Sequence, residues 1–140
     1  MTSGNLVHVA NAVVIGGYTT TFFIDEVDHE FCLRGKSKGY RVVSLVSAYV
    51  NHRLGRMYER GGKNVRLYPP ERLYYMARNY LYVRQKYARQ FPEFFHGRSR
   101  FLIRFFLRHL RFSERRLSCL RMLAKGCVDY ALKRQGRLDG

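Results

Sequence analysis

The sequence predicts an α/β chain whose first third is mixed and whose remainder is helical. Three observations carry that expectation. Residues 40–50 (Tyr-Arg-Val-Val-Ser-Leu-Val-Ser-Ala-Tyr-Val) are apolar and β-branched, the composition of a buried strand. Residues 25–38 carry acids at their start and Arg34, Lys36 and Lys38 towards their end, the polarity that a helix dipole favours. Pro69-Pro70 followed by Glu71 stops one regular segment and opens a long helical one.

The remaining elements follow from punctuation. Residues 1–8 form a loop, residues 9–15 a short apolar helix, and Gly16-Gly17 its stop. Thr19-Thr20-Thr21 is a turn, and Gly39 ends the acidic helix. Residues 51–70 are rich in Gly and Arg and predict a loop. The helix opened by Glu71 runs to about Gln90, where Phe91-Pro92 breaks it. Two further helices cover residues 98–112 and 113–135, with Ser113 as N-cap of the second. A lone strand cannot make a sheet, so the β part lacks partners and the chain reads as the second half of a larger unit. Residues 1–68 and 69–140 are the two expected parts, the second helical and basic.

Charge narrows the partners. Lys and Arg number 26 against 10 Asp and Glu, a formal net charge of +16. Residues 71–140 hold 17 of the cations and 5 of the acids, so the helical part needs an anionic partner such as lipid headgroups, nucleic acid or a phosphorylated substrate. Residues 98–112 sharpen this. Arg100, Arg104, Arg108 and Arg111 recur at helical spacing, while Phe101, Leu102, Phe105, Phe106 and Leu110 lie off that stripe. The pattern fits a helix in a membrane interface beside anionic lipid, or an amphipathic helix packed on the domain. Nothing at the start has the basic and apolar regions of a signal peptide, and no apolar run is long enough to span a bilayer. Cys32, Cys119 and Cys127 are an odd count without zinc spacing, which favours reduced thiols and a cytoplasmic location.

Against this basic background, Asp25, Glu26, Asp28 and Glu30 crowd into six residues. Crowded carboxylates repel one another and require a purpose: a general base, a metal, or a dedicated set of Arg partners.

The acidic run also belongs to a longer pattern. Ser3-Gly4-Asn5-Leu6, Gly16-Gly17-Tyr18, Phe22-Phe23-Ile24-Asp25-Glu26-Val27-Asp28-His29-Glu30-Phe31-Cys32-Leu33-Arg34, Lys38-Gly39-Tyr40, His52-Arg53-Leu54-Gly55 and Pro70-Glu71-Arg72-Leu73-Tyr74-Tyr75-Met76-Ala77-Arg78-Asn79 follow one another in order. Together they resemble the C-terminal half of family 2 glycosyltransferases, in particular the bacterial rhamnosyltransferase-like branch. The resemblance covers roughly residues 2–90. It implies the C-terminal part of a GT-A (Rossmann-like) domain and inverting transfer from a nucleotide-sugar, possibly dTDP-rhamnose, to a glycan or lipid-linked acceptor in cell-envelope polysaccharide synthesis. It implies that Asp28 is the general base and that Gly4, Asn5 and Glu30 lie on the acceptor side. His52 falls near the diphosphate and metal and is the tentative metal ligand. Arg72 and Arg78 are candidates for cations beside the departing diphosphate. A divalent ion, Mg or Mn, is implied for the full enzyme.

The chain departs from that family in having no Asp-x-Asp anywhere. The main metal ligands and the nucleotide pocket are therefore expected in an absent N-terminal half, and the 140 residues alone are expected to be inactive. The expected location is the inner face of a bacterial membrane. The alternative is a basic membrane-surface or nucleic-acid-binding module without catalysis. Nucleic acid is disfavoured, because the acidic run would repel phosphate and no helix-turn-helix, zinc-finger or RNP1 pattern occurs.

Overall fold

The computed structural model describes residues 5–51, 57–60 and 62–138. Among them are five α-helices, one 3-10 turn and a two-stranded antiparallel hairpin. In chain order these are α1 (Val9–Ile15), the 3-10 turn Thr20–Phe22, α2 (Val27–Ser37), β1 (Met57–Arg60), β2 (Lys63–Arg66), α3 (Pro70–Tyr87), α4 (Pro92–Phe112) and α5 (Arg116–Ala131). The described residues are thus mostly helical, and the mixed α/β architecture expected of a GT-A sheet is not present among them.

The helices sit where the punctuation placed them. Gly16 ends α1 with φ 101°, its amide reaching back to the Ala12 and Val13 carbonyls. The terminus of α1 is then covered by Arg34 of α2 and by Lys38, the residue that caps the end of α2. Arg34 Nη2 donates to Gly17 O at 2.5 Å and Lys38 Nζ donates to Val14 O at 3.0 Å. Positive charge thus meets the carbonyl end of α1, where the dipole favours it. Helix α3 begins at Pro70 and α4 at Pro92, each with proline in the first turn, where no amide is needed. Phe91-Pro92 therefore starts α4 as well as ending α3, so α4 begins six residues before the expected Arg98. Ser113 closes α4, and its Oγ accepts the Arg115 amide at 3.1 Å. It does not cap α5, which begins at Arg116.

The core is helix on helix. Leu73, Met76, Tyr80, Val83 and Tyr87 of α3 pack with Phe95, Leu102 and Phe105 of α4 and Cys119 of α5, and Phe22 and Leu33 join from the acidic segment. Gly126 lets α5 lie against α3: a Cβ there would stand 2.6 Å from the Tyr74 carbonyl oxygen. Leu102 and Phe105 of α4 pack on the protein, while Phe101, Ile103 and Leu107 stay exposed together with Arg100, Arg104, Arg108 and Arg111. Inside, His109 accepts the Tyr68 amide on Nε2 at 3.0 Å, and its Nδ1 lies 2.8 Å from the Phe105 carbonyl. Those partners fit the neutral ring with its proton on Nδ1.

Two expectations fail, for identifiable reasons. Residues 40–50 form no strand. Val43, Leu45, Val46 and Tyr49 are exposed, Tyr49 at 93%. β-branched composition records what a segment prefers once a neighbouring strand covers it, and the described residues offer it no sheet edge. The expected loop at 51–70 instead contains the β1–β2 hairpin, with Met57 opposite Arg66 and Glu59 opposite Asn64. Its polar strands lack the apolar alternation that marks a half-buried sheet.

Candidate functional site: the acidic run and its partners

Helix α2 starts at Val27 and not at Asp25, because the chain before it is bent. Phe23, Asp25 and Glu26 take positive φ, of 65°, 59° and 61°. Such conformations cost non-glycine residues of the order of 1 kcal/mol or more each, and they persist only where surroundings fix them. Here Asn79 of α3 fixes them. Its amide Nδ2 donates to the carbonyls of Phe22 (3.0 Å), Ile24 (2.7 Å) and Asp25 (3.2 Å). Arg78 Nη2 reaches the same Phe22 carbonyl at 3.3 Å, and Arg78 Nε donates to Asn79 Oδ1 at 3.0 Å. The Arg78-Asn79 pair therefore shapes the turn that presents the acidic helix.

Three of the four acids are neutralised. Arg72 forks onto Asp25, with Nε 3.0 Å from Oδ2 and Nη2 2.9 Å from Oδ1. Glu26 is buried, takes both Nε (3.1 Å) and Nη2 of Arg98 on Oε1, and has His29 Nδ1 3.1 Å from Oε2. Burial alone would raise the pKa of Glu26, but His29 and Arg98 outweigh it and hold the carboxyl below its ordinary value. Glu30 is also buried. Its Oε2 accepts from Thr19 Oγ1 at 2.8 Å and lies 3.0 Å from Arg34 Nη2, and its Oε1 accepts from Tyr87 Oη at 2.9 Å with Lys86 Nζ at 3.4 Å. Asp25 and Glu26 are thus neither solvated nor helix-capping groups, since each has its own arginine.

Asp28 differs. It is half-buried and has no ion pair among the described residues; its Oδ2 is shielded and without a hydrogen bond, as is Glu26 Oε2, but the Glu26 carboxylate has Arg98 on its other oxygen. Cys32 lies one turn further along α2, and its thiol pKa is raised by burial first and by the Asp28 charge second. Cys32, Phe31 and Gly35 line the larger cleft, about 620 Å³, together with Asn5, residues of α1 and residues 40–45. Glu30 opens instead into a second cleft of about 470 Å³ lined by Thr19, Tyr82, Gln85, Lys86 and Gln135. Residues two apart on a helix point to different sides. Of the expected site residues, then, Asn5 lies in the cleft that Cys32 lines one turn after Asp28, and Glu30 faces elsewhere. Gly4 and His52 lie outside the described residues.

The two arginines expected near a diphosphate are engaged within the protein. Arg72 is forked on Asp25 and stacks on Tyr68, 4.3 Å from the ring centre. Arg78 is completely buried, with Nη1 donating to Tyr74 Oη at 2.9 Å, and Tyr74 in turn donating to Asp129 Oδ2 at 2.9 Å. From there Arg78 orders α3 and the acidic turn and cannot reach a ligand. No group of three or more His, Cys, Asp and Glu side chains able to hold a metal ion comes together among the described residues. Sequence reasoning passed over Asn79, Arg98, Thr19 and Tyr87. Asn79 adjoins a residue already singled out, but nothing local marks the others, which lie 11 to 72 residues from their partners.

No family model, curated protein or solved structure matches the chain. No helix among the described residues is long and apolar enough to cross a membrane.

Proposed function

We propose that this chain is the acceptor-side, base-bearing part of an inverting nucleotide-sugar glycosyltransferase, with Asp28 as the general base. The observation that carries the reading is the selective neutralisation of the acidic run. Asp25, Glu26 and Glu30 are matched to Arg72, Arg98 and Arg34, and Asp28 is the one acid of the four with no ion pair among the described residues. A base must offer a lone pair that no protein group already occupies, held in fixed geometry. The bent turn clamped by Asn79 supplies the second requirement.

In the proposed reaction the acceptor hydroxyl gives its proton to Asp28 as its oxygen bonds to the anomeric carbon. The bond from that carbon to the diphosphate oxygen breaks, and its electron pair leaves with the nucleoside diphosphate. The donor is a nucleotide-sugar such as dTDP-rhamnose, and the acceptor a glycan or lipid-linked hydroxyl. The donor pocket and the ligands of a divalent Mg or Mn ion are assigned to a nucleotide-binding half, and no step here runs through that ion. The exposed apolar residues 40–50 also support a missing half, because a strand-forming run of this kind is stable once a sheet edge covers it.

The experiment is sugar transfer by the chain expressed with the reading frame upstream of Met1, compared with its Asp28→Asn variant. Loss of about 100-fold or more in turnover, with unchanged thermal unfolding, is expected for removal of a general base. Full activity of the variant removes Asp28 from the role. Absence of transfer by the unaltered extended chain with any nucleotide-sugar overturns the glycosyltransferase reading.

A further inference from the structure

The outward sides of α4 and α5, two helices that pack on one another, both leave apolar side chains uncovered, and on α4 these stand among arginines. On α4 the exposed side presents Arg100, Arg104, Arg108 and Arg111, with Phe101, Ile103 and Leu107 also exposed among them. On α5 the exposed side is apolar. Leu117 is 83% exposed, Leu120 and Val128 are more than half exposed, and Ala124 completes the row at helical spacing. Arg116 and Arg121 edge it. The inner sides of both helices are already used, through Leu102, Phe105 and His109 of α4 and Cys119 and Gly126 of α5. The outer leucines are therefore not a misplaced core but a surface with nothing on it among the described residues.

We propose that α4 and α5 together form a docking surface for an anionic lipid membrane, with the α4 arginines on the headgroups and the α5 leucines at the acyl boundary. Charge selects this occupant. A second copy of the chain would bring a further +16 against the same cationic helices, whereas a sheet of headgroup phosphates complements them. Apolar side chains beside the arginines select lipid over nucleic acid, since a polyanion in water gives Leu117 and Leu120 nothing to bury against. The inference is independent of glycosyl transfer. Its failure would leave the role of Asp28 as it stands, and loss of that role would leave this surface intact.

The test is flotation of the whole chain with vesicles of phosphatidylcholine alone and of phosphatidylcholine mixed with phosphatidylglycerol. Binding is expected to the mixed vesicles and to weaken as salt rises. Replacing Arg100, Arg104, Arg108 and Arg111 with Gln should weaken it about fivefold per arginine, the equivalent of ~1 kcal/mol each. A separate Leu117→Ser/Leu120→Ser variant should weaken binding with every arginine in place. These positions are exposed, so unchanged thermal unfolding of each variant secures the comparison. Equal binding to neutral and mixed vesicles, or no binding to either, overturns the proposal. So does wild-type binding by the leucine variant, tighter binding to duplex DNA that ignores the leucines, or a dimer in sedimentation that the leucine variant dissolves.

Discussion

Residues 22–37 and residues 40–50 are neighbours in the chain and opposites in the fold. The first stretch is rich in charge and is held by the protein itself: three acids have their own cations, and the turn carbonyls of Phe22, Ile24 and Asp25 are bound by α3. The second is apolar and is held by almost nothing, with Val46 90% exposed. Phe22, Phe31 and Leu33 are buried as apolar residues usually are, but Glu26 and Glu30 are buried beside them while Val43, Leu45, Val46 and Tyr49 are exposed, the reverse of the usual arrangement. Burial of Glu26 and Glu30 is therefore a deliberate feature of this fold. Exposure of residues 40–50 marks a face whose cover is not among the described residues.

The sharpest way to break this contrast is to strip the polar stretch of a partner. Glu26→Ala leaves the largely buried Arg98 guanidinium unpaired, and a loss of about 3–5 kcal/mol in urea unfolding is expected. A loss below about 1 kcal/mol would mean that the pair is not what holds the run. Asn79→Ala leaves the carbonyls of Phe22, Ile24 and Asp25 without their common donor, and a loss of about 2–3 kcal/mol is expected. If Asp28 is the proposed base, the variant should also lower sugar transfer even though Asp28 is untouched. An Asn79→Asp variant, which keeps the size and removes the N–H donors, should behave like the alanine variant.

The interior of the helical part gives a smaller effect that depends on pH. Burial lowers the pKa of His109, the Phe105 carbonyl opposes that shift, and the Arg108 charge adds to it. The unfolded histidine takes up its proton near 6.5, the folded one only at lower pH. Stability from the neutral ring is complete above 6.5 and declines as pH falls through the lower folded value. A urea midpoint that drops between about pH 7 and pH 5, and a His109→Gln variant without that drop, are expected. Glu26 contributes in a separate window, losing its stabilisation only as pH falls below 4.5. The smallest effect belongs to the apolar stretch. Val46→Thr and Tyr49→Ser should shift stability by no more than about 0.5 kcal/mol, because those side chains bury nothing. A larger loss would show that residues 40–50 are covered in solution.

The same contrast explains what could be read in advance. Helices were legible because their ends are written locally, in Gly16, Gly39, Pro70 and Pro92. The pair Glu30–Arg34 is written locally too, because four residues is about one helical turn. Arg72 and Arg98 were not, since their partners lie 47 and 72 residues away in sequence and no local rule links them. Residues 40–50 misled because composition reports preference and not availability of a neighbour. The buried state of Arg78 escaped for a related reason: an arginine reads as a surface cation until its tyrosine and carbonyl partners are seen around it.

The Asn79 clamp has a consequence for how the chain can change length. It fixes the Phe22–Asp25 turn directly to α3, independently of the residues that run between α2 and α3. That excursion leaves at Gly39 and returns at Pro69 with both ends anchored. Lengthening it adds only a closure entropy of about 0.6 kcal/mol for each doubling. Insertions or deletions among residues 41–51 should therefore leave the acidic helix in place, whereas a single inserted residue between Phe22 and Val27 would displace it. Length in the first region is free to vary, and length in the second is fixed by one amide side chain.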